Sequence, residues 1–73
     1  MYILTNVSVD TDGKVYAGES QCFKSKKEAV YNAKMQLVED FSIEFEKLAE
    51  EAQECEKPYI ISMERDGQFE SYT

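Results

Sequence analysis

The feature that most constrains this chain is a long amphipathic segment running from Ser25 to Cys55. It opens with Ser25-Lys26-Lys27-Glu28, an S-x-x-E capping box that places Ser25 at the N-cap of a helix. Apolar residues then recur at spacings of three and four, the pattern of a helix with one buried stripe. The sequence therefore predicts one helix over 25–55, ended by Lys57-Pro58 because a residue before proline resists helical geometry. The predicted stripe is Val30, Ala33, Leu37, Phe41, Phe45, Leu48, Ala52 and Cys55.

The predicted helix is long for the rest of the chain. At 1.5 Å per residue it would span roughly 45 Å, whereas strands of about six to nine residues span about 20–30 Å. Two outcomes remain open: the helix overhangs its sheet, or it breaks near Asp40-Phe41-Ser42.

The charges of this predicted helix oppose its macrodipole. Lysines gather at its start, whereas its second half is acidic from Glu39 to Glu56 and is relieved only by Lys47. A helix dipole favours anions at the N-terminus and cations at the C-terminus, by roughly 0.3–1 kcal/mol each. We interpret the reversed layout as a sign that a protein partner or a second copy makes use of it.

Two strands are predicted before the helix. Residues 2–9 alternate with a period of two, and Val7 and Val9 share one face. A turn at Asp10-Thr11-Asp12-Gly13 leads to a second strand over 14–23. Within that strand the apolar pattern weakens at Gly18-Glu19, which indicates a bulge. Together these segments predict a hairpin over 2–23.

A second hairpin is predicted over 59–73, with its turn at Arg65-Asp66-Gly67. Residues 61–69 align without gaps with residues 7–15, because both hairpins share the order apolar, Ser, apolar, acid, any, Asp, Gly, polar, apolar. Alternating strands joined by an Asp-Gly turn produce this pattern. Used to set the strand phase, the alignment places these residues beneath the helix: Val7, Val9, Val15, Ile61, Met63 and Phe69.

The predicted fold is an α+β, two-layer β-β-α-β-β sandwich in one domain, 1–73, with a four-stranded, largely antiparallel sheet and one long helix on one face. The uncovered side of such a sheet is normally polar. Here it is predicted to be rich in tyrosine, which favours an interface. A bulge that inverts the strand phase would instead bury these tyrosines. The predicted uncovered residues are Tyr2, Leu4, Tyr16, Ile60 and Tyr72.

Composition narrows the classes of function. The net charge of −7 disfavours direct binding to nucleic acid or to an anionic membrane, because both require a cationic surface. No apolar run reaches the length of about 18 residues that a membrane span needs. Cys22 and Cys55 flank the predicted helix, too far apart for a disulfide. With no leader after Met1, we expect a cytoplasmic protein with free thiols.

The sequence offers no catalytic, metal or cofactor signature. It contains no histidine, which removes the commonest general base and the Ser-His and Cys-His nucleophile pairs. Asp10-x-Asp12-Gly13 resembles the start of a calcium loop, but the sixth and twelfth positions hold Val15 and Gln21. Its three glycines form no phosphate-binding loop. We therefore expect a protein that is not an enzyme and binds no metal or cofactor.

Three explanations of the acidic run remain open. It is a solvated face that aids solubility, or it pairs antiparallel with the lysine-rich end of a second helix in a homodimer. In the third, its carboxylates imitate phosphates and occupy a basic cleft of a nucleic-acid-handling protein. We favour a non-enzymatic protein-binding module that forms a homodimer. Its expected contact residues are Glu39, Ile43, Glu46, Glu50, Tyr2, Tyr16 and Tyr72.

In size, acidity and the order of its predicted elements around the Ser25–Cys55 helix, the chain resembles small proteins of phages and other mobile elements, anti-CRISPR inhibitors among them. Many such inhibitors are compact acidic domains that bind a nuclease complex, some by mimicking DNA. The resemblance implies an inhibitor whose acidic surface blocks a basic cleft. It rests on no family motif and assigns no functional residue.

Overall fold

The computed structural model describes residues 1–73 as two helices and seven strands. The α+β class predicted from the sequence is confirmed, whereas the single long helix and the four-stranded sheet are wrong. Neither helix combines the length and the apolar character needed to cross a membrane. The elements are β1 Tyr2–Leu4, β2 Asn6–Val9, β3 Val15–Ala17, β4 Gln21–Phe23, α1 Lys26–Phe41, α2 Phe45–Glu51, β5 Gln53–Glu56, β6 Tyr59–Arg65 and β7 Gln68–Tyr72.

The strands form two antiparallel sheets. β1 and β4 make a two-stranded sheet, and the remaining strands make a five-stranded sheet in the order β3-β2-β7-β6-β5. β2 pairs with β7 over Asn6–Val9, which joins the N-terminal and C-terminal hairpins side by side. The helices pack on one side of the five-stranded sheet, against Ile61 and Met63 of β6 and Tyr72 of β7.

The predicted bulge divides the N-terminal hairpin between the two sheets. Between the pairs Leu4–Gln21 and Val7–Ala17, the second strand has one residue more than the first, in the segment 18–20. Gly18 donates its N–H to the Asn6 carbonyl oxygen at 3.0 Å. A Cβ atom built on Gly18 would lie 2.7 Å from Asn6 Oδ1, so any larger residue would have to displace the Asn6 side chain.

The helix breaks at Ser42, which confirms the second of the two outcomes left open by its length. Ser42 has φ 52° and donates its N–H to the Glu39 carbonyl oxygen at 3.3 Å, while Ile43 donates to the Val38 carbonyl oxygen at 3.2 Å. These two bonds form a Schellman motif, in which a left-handed residue ends a helix. The two apolar residues at the usual positions of this motif, Val38 and Ile43, both pack against the core.

The last part of the predicted helix is a strand. After α2, residues Gln53–Glu56 pair antiparallel with Tyr59–Ser62 of β6, and Lys57-Pro58 forms the connecting turn. The hydroxyl of Tyr59 donates to the Glu54 carboxylate at 2.6 Å, which reinforces this hairpin. Cys55 therefore lies on an edge strand, exposed, and Cys22 is exposed as well; both thiols are free.

The core is one cluster between the helices and the sheets. Ala33, Leu37 and Phe41 of α1 and Leu48 of α2 lie on it, as the apolar stripe predicts. Ala52 of the predicted stripe also packs against the core, whereas Phe45, just after the break, is 44% exposed. The sheets complete the cluster with Leu4, Ile61, Met63 and Tyr72.

The two hairpins share a sequence pattern but close with loops of different length. Val9 pairs with Val15 around residues 10–14, whereas Arg65 pairs with Gln68 around Asp66-Gly67 alone. Opposed residues point to the same side of a sheet, and neighbours along a strand point to opposite sides. The difference in loop length therefore changes which residues of each hairpin face the helices.

The predicted strand phase is accordingly correct only in part. Ile61 and Met63 face the helices and are buried, as predicted. Leu4 and Tyr72, predicted on the uncovered side, are buried as well, with exposed fractions of 4% and 5%. The residues predicted beneath the helix that instead point away from it are Val7, Val9, Val15 and Phe69.

Candidate functional site

The side of the five-stranded sheet turned away from the helices is covered by no other element. We call it the outer face. The strand registers assign its members. Residues paired with the buried Ile61, Met63 and Tyr72 lie on the helix side, and their neighbours along each strand lie on the outer face. The outer face comprises Val7, Val9, Val15, Ala17, Gln53, Cys55, Ile60, Ser62, Glu64, Phe69 and Ser71.

The outer face carries almost no charge. Glu64 is its only ionisable acid or base other than the thiol of Cys55, although charged residues make up 32% of the chain. Val15 is 66% exposed, Val7 37% and Ile60 36%. A solvated sheet face normally alternates polar residues outward, so this uncovered apolar surface has the character of an interaction site.

Side-chain size on the outer face varies by row across the strands. One row contains Val15, Val9 and Phe69, and ends at Glu64; we call it the bulky row. The next row, the small-residue row, runs from Ala17 through Val7 to Ser71, Ser62 and Gln53. The two rows differ in size on three strands, where Ala17, Ser71 and Ser62 lie beside Val15, Phe69 and Glu64, whereas on β2 both rows carry valine.

The tyrosines predicted at an interface do not form one surface. Tyr72 is buried in the core at 5% exposure. Tyr16 is 48% exposed and lies opposite Ser8, on the helix side of the sheet, where its hydroxyl donates to Asp10 at 3.3 Å and Lys14 lies over its ring. Tyr2 is 46% exposed in the other sheet. The predicted tyrosine-rich uncovered face is therefore wrong, because β3 and β7 have the opposite phase to that predicted and Tyr2 belongs to the other sheet.

The residues of the predicted helix that we expect to contact a partner lie in two different environments. Glu39, on α1, and Glu46 and Glu50, on α2, are exposed. Ile43, predicted to lie opposite the core stripe, is half-buried and packs against the core after the break at Ser42.

Part of the reversed helix charge is neutralised inside the molecule. Lys34 lies 3.6 Å from Glu54, and Lys26 lies 3.7 Å from Glu56. Both glutamates belong to β5, which returns along the lysine-bearing helix. These exposed ion pairs are each worth at most about 1 kcal/mol, but they occupy two of the lysines that a paired helix would need.

A buried carboxyl group, which the sequence reasoning missed, lies on the helix side of the sheet. Glu70 is 5% exposed; its Oε1 accepts hydrogen bonds from the Tyr72 hydroxyl at 2.9 Å and from Asn6 Nδ2 at 3.2 Å. Burial and the hydrogen-bonding carboxyl of Asp40 raise the pKa of Glu70 to about 7. The same environment raises the pKa of Tyr72, because burial and the neighbouring Glu70 both disfavour the phenolate.

Glu70 can therefore hold a proton at near-neutral pH. Its hydrogen bonds are all to groups of the same chain, so its chemistry is that of a polar cluster within the core. The Asp66-Gly67 turn is the sequence signal that could have indicated this buried carboxyl group. A two-residue loop there places Glu70 opposite Met63, and Met63 is buried beneath the helices. No three Asp, Glu, Cys or His side chains converge in a way that could hold a metal ion.

No protein-family model, curated protein or solved structure matches this chain. Function is therefore inferred from the outer face and from the charge distribution around it.

Proposed function

We propose that this protein is a non-enzymatic protein-binding module whose binding surface is the outer face of the five-stranded sheet. The observation that carries the proposal is the near absence of charge on that face in so acidic a chain. Interface cores are depleted of charged residues in the same way.

Burial of the outer face by a partner would be favourable for physical reasons. Fully burying a valine or isoleucine side chain contributes roughly 1.5–3 kcal/mol relative to leaving it in water. Val15 is 66% exposed, so a partner that buries it would gain about two thirds of that free energy. Burial of Val7 or Ile60 would gain about one third each. Their strands also hold these side chains in fixed positions, which limits the entropy lost on binding.

A capture experiment with surface variants tests the proposal. Val15→Lys places a charge on the outer face, and Tyr31→Lys places the same charge on α1, where Tyr31 is 57% exposed. Proteins captured from the native host by wild type and by Tyr31→Lys, but lost with Val15→Lys, would support binding through this face. Retention of every captured protein by Val15→Lys would contradict it.

A second candidate function rests on a different surface. Glu39, Glu44, Glu46 and Glu50 are exposed around the junction of α1 and α2 and make no ion pair. In this alternative they imitate phosphates and block a basic cleft of a nucleic-acid-handling complex, as in inhibitors of the anti-CRISPR type.

Salt dependence separates the two candidates. Electrostatic capture weakens steeply as ionic strength rises, because screening shortens the range of exposed charges to about 8 Å at 0.15 M. Glu46→Lys with Glu50→Lys should abolish capture by the acidic surface and leave capture by the outer face intact. Binding that survives both high salt and these reversals excludes the phosphate-mimic function.

A further inference from the structure

We infer that the partner seated on the outer face is a second copy of this chain, stacked sheet to sheet about a two-fold axis. This inference rests on the proposed function and names its partner. The resulting dimer has four layers, with the helices of each copy outermost and the two outer faces in contact.

The relief of the outer face is self-complementary. Its bulky row, with Val9 and Phe69, lies directly beside its small-residue row, with Ser62 and Ser71 at the centre. A two-fold axis parallel to these rows sets the bulky row of each copy over the small-residue row of the other. Stacked sheets lie about 10 Å apart with interdigitated side chains, which requires this alternation of large and small residues.

The charge distribution favours this mode of self-association over the helix pairing. Each copy carries a net charge of −7, so two copies repel unless their carboxylates stay apart. Sheet-to-sheet stacking places both acidic helix layers on the outside, separated by the thickness of both molecules. The smallest dimension of one molecule is already 21 Å, well beyond the screening length of about 8 Å in physiological salt.

Pairing through α1 has fewer available cations than the sequence suggests. Lys26 and Lys34 already lie beside Glu56 and Glu54 of their own chain. Lys24 and Lys27 are the lysines that remain at the start of the helix, against the four exposed glutamates Glu39, Glu44, Glu46 and Glu50 at the junction of α1 and α2, so carboxylates outnumber cations in such a contact. Only Glu64 contributes a formal charge to the outer face; it ends the bulky row, and under this two-fold axis it lies over Ser62 of the other copy.

The available area fixes the expected strength of the dimer. Five strands about 4.8 Å apart and about five residues long give a face of roughly 24 by 16 Å. Two such faces amount to about 770 Å², below the roughly 1,200 Å² of stable interfaces and in the range of weak, transient ones. We therefore expect a reversible dimer with a dissociation constant in the micromolar range.

Analytical ultracentrifugation between about 1 and 500 µM tests the inference across this range. Wild type should shift from monomer to dimer, and Tyr31→Lys should do the same. Val7→Lys and Val15→Lys should each raise the dissociation constant at least about tenfold, because the two-fold axis buries two unpaired ammonium groups. Both positions are exposed in one copy, and thermal unfolding verifies that each variant folds.

A thiol probe locates the contact independently. In a Cys22→Ser, Cys55→Ser background, Ser71→Cys places a single thiol at the centre of the outer face, and Tyr31→Cys places one on the helix layer. Modification of Ser71→Cys by a maleimide should slow as protein concentration rises, in proportion to the dimer fraction. Modification of Tyr31→Cys should keep a constant rate.

The outcomes distinguish this inference from the function on which it rests. A monomer at every concentration overturns the second copy as partner, but the proposed function survives if Val15→Lys loses a host protein. A dimer unaffected by Val7→Lys and Val15→Lys, or equal protection of both thiols, also overturns the inference. A strict monomer whose Val15→Lys variant retains every host partner refutes both.

Discussion

Replacing Glu70 with glutamine isolates the energetic effect of the buried carboxyl group. Glutamine has nearly the same shape, and its Oε1 can still accept from the Tyr72 hydroxyl and from Asn6 Nδ2. Its amide can also donate to Asp40, which a second carboxylate cannot do. The substitution therefore removes the ionisation of residue 70 while retaining its packing and its hydrogen bonds.

The magnitude follows from the raised pKa of Glu70. The pKa is about 7 in the folded protein, against an ordinary value of 4.5 in the unfolded chain. The folded state therefore binds more protons than the unfolded state between these values, so the free energy of unfolding falls as pH rises through this window. Between pH 5 and pH 8 this single group removes up to about 2–3 kcal/mol.

Urea denaturation at pH 5 and pH 8 measures this effect. Wild type and Glu70→Gln should differ by less than about 1 kcal/mol at pH 5, whereas at pH 8 the variant should be more stable by up to about 3 kcal/mol. Glu50→Gln is the matched control, because it removes one exposed carboxylate that makes no ion pair and lies off the outer face, and so reports the general effect of net charge. Equal pH dependence of the two variants would refute the burial of an uncharged Glu70.

Three further substitutions test the fold. Ser42→Gly should stabilise the protein by about 1 kcal/mol because Ser42 has φ 52°, whereas Ser42→Ala retains the left-handed strain and should give no gain in denaturant midpoint. Gly18→Ala should lower the free energy of unfolding by about 1–3 kcal/mol, since its Cβ displaces the Asn6 side chain that binds Glu70; unchanged thermal stability would contradict this close approach. Leu37→Ala should cost about 2–5 kcal/mol in urea, because Leu37 is fully buried in the core, and a loss below 1 kcal/mol would contradict that packing.

Local features of the fold are predictable from the sequence. The capping box places Ser25 at the N-cap of α1, where its Oγ accepts the Glu28 N–H at 3.2 Å. The spacing of Ala33, Leu37 and Phe41 gives the buried stripe of that helix. Gly18 marks the bulge. Each of these depends on contacts within a few residues of chain, or on a steric requirement of one residue.

The end of α1 illustrates a weaker local signal. A Schellman motif usually has glycine at its left-handed position, and here that position holds Ser42. Without glycine, the apolar spacing continues through the break, so the sequence favours a continuous helix. Val38 and Ile43, packed against the core, help to fix the break. The acidic β5 likewise lacks an apolar strand pattern, and its pairing with β6 determines its conformation.

Only the tertiary structure shows which residues form the candidate binding surface, because the two hairpins close with loops of different length although their turn sequences align. Asp10 Oδ1 accepts the N–H groups of Asp12 and Lys14, which stabilises the longer loop of the first hairpin. The equivalent residue in the second hairpin is Glu64, and that hairpin closes through Asp66-Gly67 alone. A difference of one residue in pairing moves every side chain of a strand to the other face.

The sequence by itself determined the start of α1, its apolar stripe, the bulge and the existence of both hairpins. Tertiary structure alone decided which strand faces the helices cover. That choice buries Glu70 and Tyr72 together and leaves Val7 and Val15 in water. The physical reason is that the choice depends on long-range pairing of β2 with β7 and on packing against α1, whereas period-two alternation is the same whichever face is buried.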